Sequence, residues 1–178
     1  MSANFERLGA HTVFEGKFFA VNVERFRHAD GEEVSREIVR HKGAAAAVAH
    51  DDEHVWLVRQ PREATGEPDL LELPAGKLDD DSEDALATAK RELAEEIGKA
   101  AESWRELTAF YTSPGFTDER VVVYLATGLS DRSAEVEEDE RIDIVRWPLS
   151  ELDAAIEDCE DSKSLIGLLW LRALRATG

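Results

Sequence analysis

Cysteine is almost absent from this sequence, and no apolar run is long enough to cross a bilayer. Cys159 is the only cysteine among 178 residues, which excludes an intrachain disulfide. Neither Cys159 nor the five histidines show the spacing of a zinc site. The first residues lack the pattern of a signal peptide. We therefore expect a protein of the reducing cytoplasm that has no membrane partner.

Positive charge is also scarce. Asp and Glu total 39 against 21 Lys and Arg, so the formal net charge is −18. Such a surface repels DNA, RNA and anionic membranes, and no nucleic acid partner is expected. It repels nucleotides as well, unless metal ions or local arginines hold them. Generic solubility and adaptation to high salt, where screening relieves self-repulsion, both explain this acidity.

The order of the hydrophobic patterns predicts an α+β fold in a single domain over residues 1–178. Leu86, Ala89, Leu93 and Ile97 recur at helical spacing, with Asp81 or Ser82 as the N-cap and Gly98 as the C-cap. Two more helices are predicted near the end, Ser150 to Cys159 and Ser162 to Ala176. The predicted strands are Phe18 to Arg27, Glu33 to Arg40, Gly43 to Ala49, His54 to Val58, Leu70 to Leu73, Arg105 to Tyr111, Arg120 to Thr127 and Ile142 to Trp147.

Three glutamates, Glu92, Glu95 and Glu96, fall within one turn of the central helix. Like charges this close destabilise a helix, and a bound cation reverses that effect. Ligands that are all oxygens favour Mg²⁺, with Mn²⁺ as the alternative. The other interpretation is a solvated acidic face with Arg91 as an ordinary ion-pair partner. The segment Glu72 to Asp79, which contains Pro74 and Gly76, predicts a rigid turn that can aim a backbone carbonyl at the helix.

The stretch from Gly76 to Gly98 resembles the Nudix box, G-x5-E-x7-R-E-U-x-E-E-x-G-U. Arg91 to Gly98 matches every fixed position of its second half, and Glu83 matches the preceding glutamate. The loop after Gly76 is one residue longer than in the box, and Lys99 stands where the family usually has an aliphatic residue. The resemblance implies that Glu92, Glu95, Glu96 and the Ala75 carbonyl form the metal site. It also implies that Arg91 orients the glutamates and that Glu83 supports the loop.

Four further segments resemble ADP-ribose pyrophosphatases. In this family a proline downstream of the box, here Pro114, marks ADP-ribose-type substrates, whereas Pro61 replaces the usual aromatic residue. The resemblance implies that Arg62 contacts phosphate, for which a bidentate guanidinium is suited. It further implies that Ser113, Gly115 and Glu119 hold the terminal ribose. Arg36 and Glu37 would lie in a sheet that forms a homodimer with a shared substrate site. The four segments are Ser35 to His41, Val58 to Arg62, Leu71 to Gly76 and Ser113 to Glu119.

The resemblance implies a Nudix α/β/α sandwich with a mixed sheet over about residues 43–178, preceded by an antiparallel β extension over about residues 1–42. Metal-assisted attack of water would split ADP-ribose into AMP and ribose 5-phosphate. Glu140, in the acidic run from Glu135, is the candidate general base, and a solvated loop is the other interpretation of this run. A pyrophosphatase for another nucleotide sugar or dinucleotide, or a non-catalytic nucleotide-binding sensor, would fit the same pattern.

Overall fold

The computed structural model describes residues 4–78, 84–133 and 141–177. Within these residues the chain forms strands, three α-helices and one 3₁₀ turn, and no helix is long and apolar enough to cross a membrane. The strands are β1 (Phe5–Glu15), β2 (Ala20–His28), β3 (Glu33–Arg40), β4 (Ala44–His50), β5 (His54–Arg62), β6 (Glu67–Glu72), β7 (Ala75–Lys77), β8 (Lys99–Tyr111), β9 (Arg120–Asp131) and β10 (Asp143–Pro148). The 3₁₀ turn is Leu149–Glu151, and the helices are α1 (Ala85–Ile97), α2 (Leu152–Asp158) and α3 (Ser162–Thr177).

The chain divides into two compact units. The first contains the residues up to Gly43 together with Tyr111–Arg120. Its strands pair antiparallel in the order β1-β2-β3. Strand β1 was not predicted, because nearly every side chain of this strand is exposed and its sequence therefore lacks the alternation of a half-buried strand.

The second unit contains Ala44–Phe110 and the residues from Val121 onward. Its main sheet has the order β10-β5-β4-β9-β8, with β6 paired to β5 and β7 paired to β4. The β4–β9 pair is parallel, whereas β5 pairs antiparallel with β4, β6 and β10. The predicted α+β class with a mixed sheet is confirmed. The prediction of a single domain over the whole chain stays a prediction.

Alternate residues of β4 pack on opposite faces of this sheet. One face carries Ala44, Ala46 and Val48, which share a core cluster with residues of α2 and α3. The other face carries Ala45, Ala47 and Ala49, which pack with residues of α1. Because side chains alternate along a strand, one short apolar strand supports helices on both faces. The helix residues involved are Leu152, Ala155, Leu168 and Leu171 on the first face, and Ala89, Leu93 and Ile97 on the second.

Helix α1 begins later than the sequence analysis predicted. Its N-cap is Asp84, whose side chain accepts a hydrogen bond from the amide of Leu86 at 3.1 Å. The prediction of Asp81 or Ser82 as the N-cap was wrong, because the carboxylate of Asp84 satisfies an amide of the first turn. The helix ends at Gly98, which adopts the left-handed conformation with φ of 65°, as expected for a C-cap glycine.

We predict that Gly167→Ala destabilises the fold, although alanine normally favours a helix. A Cβ at position 167 would lie 2.6 Å from Leu73 Cδ1 and 2.8 Å from Val48 Cγ2. Overpacking of this kind costs about 1–3 kcal/mol, which urea denaturation measures. Gly9→Ala is the matched control, because a Cβ there meets no atom within 4 Å. Equal stability of the Gly167 variant and the wild type would contradict the close helix–sheet contact.

Candidate active site

Two of the three clustered glutamates of α1 are buried. Glu92 is 8% exposed and Glu96 is 7% exposed, whereas Glu95 is half-buried. These two residues are four apart and so lie on one side of the helix. The interpretation as a solvated acidic face is therefore wrong for Glu92 and Glu96. Burying a carboxylate costs free energy unless polar partners or cations surround it, so the two glutamates need such partners on this face of α1.

The short strand β7 lies against these carboxylates. The backbone amide of Ala75 donates a hydrogen bond to Glu96 Oε2 at 2.9 Å. At Gly76 a Cβ would lie only 1.7 Å from Glu92 Oε1. Glycine is therefore needed at this position because the carboxylate of Glu92 occupies the space that a side chain would fill.

Arg91 bridges two of the acids. Its Nη1 lies 2.9 Å from Glu92 Oε1 and 2.8 Å from Glu95 Oε2. One guanidinium thus holds carboxylates from neighbouring positions of the helix. The role of Arg91 in orienting the glutamates of a metal site stays a prediction.

The oxygens that this site offers are the type that Mg²⁺ and Mn²⁺ bind. The space left by the missing side chain of Gly76 holds the buried Glu92 carboxylate. This arrangement is consistent with a cation bound by oxygen ligands beside α1. Within residues 4–78, 84–133 and 141–177, no three acidic, histidine or cysteine side chains are arranged as a ready-made metal cluster. The carbonyl of Ala75 as a further metal ligand stays a prediction.

Arg62 is held by a buried acid that the sequence analysis did not single out. Its Nε and Nη2 donate to the two carboxylate oxygens of Glu72, at 2.5 and 2.8 Å. Glu72 is 1% exposed. Burial raises the pKa of Glu72, but the hydrogen bonds and charges of Arg62 and Lys163 outweigh it and hold the pKa below its ordinary value. Glu72 in turn raises the pKa of Arg62, and the nearby charge of Glu96 adds to this effect.

The start of α3 completes this cluster. Lys163 Nζ donates to Glu72 Oε2 at 2.5 Å and to Asp161 Oδ2 at 2.9 Å. The hydroxyl of Ser164 accepts the backbone amide of Leu73 at 2.7 Å. Consecutive residues of β6 and of its following turn are thus tied to consecutive residues of α3.

The predicted ribose-binding residues lie in the first unit. The carbonyl of Ser113 accepts the amides of Phe116 and Thr117 at 3.1 and 3.0 Å, which closes a tight turn. The Glu119 carboxylate accepts the hydroxyl of Thr112 at 2.8 Å and lies 3.5 Å from His41 Nδ1. His41 Nδ1 accepts the backbone amide of Gly43 at 3.0 Å and so does not donate to Glu119, whereas the Thr112 hydroxyl orients the Glu119 carboxylate.

The fold does not require glycine at position 115. Gly115 is exposed, its φ is not positive, and a Cβ there would meet no atom within 4 Å. The ordinary explanation of a turn glycine, a left-handed backbone conformation, therefore fails for this residue. Arg36 and Glu37 are exposed on β3, and Arg36 donates to the Ser35 carbonyl at 2.9 Å.

A buried acid also supports the Ser113–Glu119 turn. Glu24 is fully buried and accepts from Arg7 at 2.6 Å and from Arg40 at 2.5 Å. Arg40 also donates to Asp118 at 2.7 Å, and Asp118 accepts the backbone amide of His41 at 2.9 Å. No local sequence pattern predicts these contacts, because Asp118 is 78 positions from Arg40 and 77 positions from His41.

Two predicted residues, Glu83 and Glu140, lie outside the described residues. The role of Glu140 as general base stays a prediction.

The chain is similar to known proteins in both sequence and fold. The NUDIX domain family matches residues 39–166. The chain belongs to this family. The methanol dehydrogenase activator of Bacillus methanolicus is 38% identical over 169 residues, covering 92% of this chain and 90% of that protein. The ADP-ribose pyrophosphatase of Bacillus subtilis matches with the same identity and coverage. A crystal structure of an ADP compounds hydrolase has a TM-score of 0.84 at 25% identity, covering 98% of this chain and 96% of that one, which confirms the predicted Nudix fold.

We predict that Glu72→Gln changes the acid stability of this Nudix protein. Because the pKa of Glu72 is lowered on folding, its ionised form stabilises the fold above pH 4.5, and this contribution is lost as pH falls through the folded pKa. The variant should lose about 3 kcal/mol at neutral pH, as expected for a broken buried ion pair, and its stability should depend less on pH in acid.

Urea denaturation between about pH 3 and pH 7, a range that brackets the ordinary pKa of a carboxyl group, measures both effects. Asp153→Asn is the control, since Asp153 pairs with Arg172 on the surface and should change stability by less than about 1 kcal/mol. Parallel pH profiles for wild type and Glu72→Gln would contradict the ionised buried pair.

Proposed function

We propose that this chain is a Nudix hydrolase that cuts the pyrophosphate of ADP-ribose with water, releasing AMP and ribose 5-phosphate. The observation that carries the proposal is the pair of buried carboxylates, Glu92 and Glu96, packed against the backbone of β7. Relatives named as an ADP-ribose pyrophosphatase and an ADP compounds hydrolase support the substrate class.

Nudix hydrolases generally need a divalent metal. Here Glu92, Glu95 and Glu96 would hold it, with Mg²⁺ as the expected ion and Mn²⁺ as the alternative. When bound, such ions supply charge neutralisation for a pyrophosphate and increase the acidity of a coordinated water. Arg91 keeps Glu92 and Glu95 in place, and Gly76 leaves room for the Glu92 carboxylate.

Arg62 is the candidate phosphate ligand. It uses Nε and Nη2 for Glu72, and within the described part of the chain Nη1 has no hydrogen-bond acceptor. Its side chain is 41% exposed. The guanidinium therefore presents an open edge of N–H donors, which suits the oxygens of a phosphate.

The terminal ribose is assigned to Ser113, Gly115 and Glu119. A carboxylate held in one orientation, as Glu119 is by the Thr112 hydroxyl, accepts hydrogen bonds from a pair of sugar hydroxyls. The absence of a side chain at Gly115 leaves its backbone accessible to a sugar. Sites built to hydrogen-bond hydroxyls reject substrates that lack them, so ADP-ribose should be preferred over ATP.

A second candidate function is regulation of a partner enzyme. The relative named for activating methanol dehydrogenase is as similar to this chain as the Bacillus subtilis pyrophosphatase. A sensor without catalysis has no need for the full set of Glu92, Glu95 and Glu96, which favours hydrolysis. Activity on another nucleotide sugar remains the alternative within the enzyme class. The cytoplasmic location expected from the single cysteine stays a prediction.

We predict that the protein is a homodimer through the first unit, with twice the chain mass of 19.8 kDa by light scattering. Large apolar side chains are exposed there, and β1 is an edge strand that a second copy would cover. The double variant Phe14→Ser with Phe18→Ser should be monomeric. Leu169→Ser, which removes an exposed apolar residue of α3, should stay dimeric. A monomeric wild type refutes the dimer.

The function itself is tested by product analysis with ADP-ribose, GDP-mannose and ATP, with and without Mg²⁺. We expect rapid cleavage of ADP-ribose only with metal. Glu96→Gln should lower kcat about 100-fold or more, because a neutral amide is a weaker ligand than a carboxylate for the divalent ion that neutralises the phosphates. The amide oxygen of glutamine still accepts the Ala75 amide, so folding should be retained. Glu157→Gln, an exposed change in α2, is the control. Near wild-type turnover of Glu96→Gln at saturating Mg²⁺ would contradict the assignment of Glu96 to the metal site.

A further inference from the structure

We propose that Lys163 is a positioning residue that keeps Arg62 available for the phosphate of the substrate, by sharing the carboxylate that anchors Arg62. The proposal rests on the proposed role of Arg62 in phosphate binding. It assigns a function to the first turn of α3, which the Nudix box does not include.

The contacts at Glu72 carry this inference. Oε1 of Glu72 accepts Arg62 Nε, whereas Oε2 accepts both Arg62 Nη2 at 2.8 Å and Lys163 Nζ at 2.5 Å. Two cations therefore share one buried carboxylate. With Arg62 alone, Glu72 would cancel the charge of the guanidinium, and an anionic phosphate would gain little from it. With Lys163 present, the single charge of Glu72 is shared between two cations, so less of it is spent on the guanidinium of Arg62.

Asp161, the second carboxylate beside Lys163, does not cancel the full positive charge of this lysine. Asp161 Oδ2 accepts Lys163 at 2.9 Å, but it also accepts the amide of Ser164 at 3.0 Å at the start of α3. A carboxylate in this position caps the helix and is stabilised by the positive end of the helix dipole. Part of the charge of Asp161 is therefore already compensated by the helix.

The exposure of the two cations separates their roles. The Arg62 side chain is 41% exposed, whereas that of Lys163 is 15% exposed. Arg62 is thus the cation that a ligand reaches, and Lys163 acts from behind it through Glu72. The hydrogen bond from Leu73 to Ser164 fixes the neighbouring residues, so Lys163 keeps its place beside Glu72.

The first test is steady-state kinetics with ADP-ribose and Mg²⁺. Lys163→Met should raise KM about tenfold with kcat changed less than about twofold, because it removes a charge that acts on binding at close range. Lys163→Arg should restore KM to within about threefold. Arg172→Met removes a charge from an exposed pair on the same helix and should leave KM unchanged. If Lys163→Met is unfolded at the assay temperature, Lys163→Gln, which keeps a donor toward Glu72, takes its place.

A double-mutant cycle separates this role from general support of the fold. In the Arg62→Ala background, Lys163→Met should cause no further rise in KM, since Lys163 acts through Arg62. An equal rise of KM in both backgrounds overturns the proposal. A Lys163 variant that is folded and matches the wild type or Arg172→Met also overturns it.

A titration calorimetry experiment keeps this proposal distinct from the function proposed above. Inorganic pyrophosphate is titrated into the full chain in the presence of Mg²⁺, and its Kd should rise about tenfold in Lys163→Met. If the wild type does not cut ADP-ribose, the proposed function fails while this measurement still decides the role of Lys163. Equal Kd values for the wild type and Lys163→Met, or binding by neither, overturn it.

Discussion

The contact between the backbone of β7 and the carboxylates of α1 is the constraint on which the candidate metal site depends. Gly76 leaves space for Glu92, and the Ala75 amide binds Glu96. This contact needs β7 to be held against the sheet, which its antiparallel pairing with β4 provides. It also needs α1 to approach the sheet closely, which the alanines of β4 permit. The small side chains of β4 thus allow the close packing that buries two carboxylates of the candidate metal site.

The two units use the same electrostatic solution for a buried acid. Glu24 in the first unit and Glu72 in the second are each held by two cations. At Glu72 only Arg62 is well exposed, at 41%, whereas at Glu24 both cations are, Arg7 at 54% and Arg40 at 36%. Arg40 also donates a hydrogen bond to Asp118, the residue before Glu119, and Arg62 presents an open edge of N–H donors to solvent. A buried ion pair is weak support for stability. Its value here is orientation, because each buried glutamate fixes a long side chain that would otherwise sample many rotamers.

The sequence predicted what is encoded locally and missed what depends on distant partners. The period of α1 and the register of its glutamates were correct, because both follow from spacing along one helix. The burial of Glu92 and Glu96 was one of two open interpretations, since an acid count cannot distinguish a solvated face from a packed one. The strand β1 was missed because an exposed strand carries no alternation. Lys163 was missed because its partner Glu72 is 91 residues away, so that no local pattern joins them.

The net charge of −18 makes the few local cations decisive for an anionic substrate. At physiological salt the Debye length is about 8 Å, so most surface acids are screened from a phosphate in the site. Groups within contact distance are not screened in this way, and they determine whether the site attracts or repels a phosphate. Glu92, Glu95 and Glu96 alone would repel a pyrophosphate, and Arg91 is already shared between two of them. Binding therefore requires cations from outside the helix. Under the proposed function these are metal ions at the glutamates and a guanidinium whose own carboxylate is shared with a second cation. Placing Lys163 behind Glu72 lets an acidic protein present a positive edge beside its acidic helix.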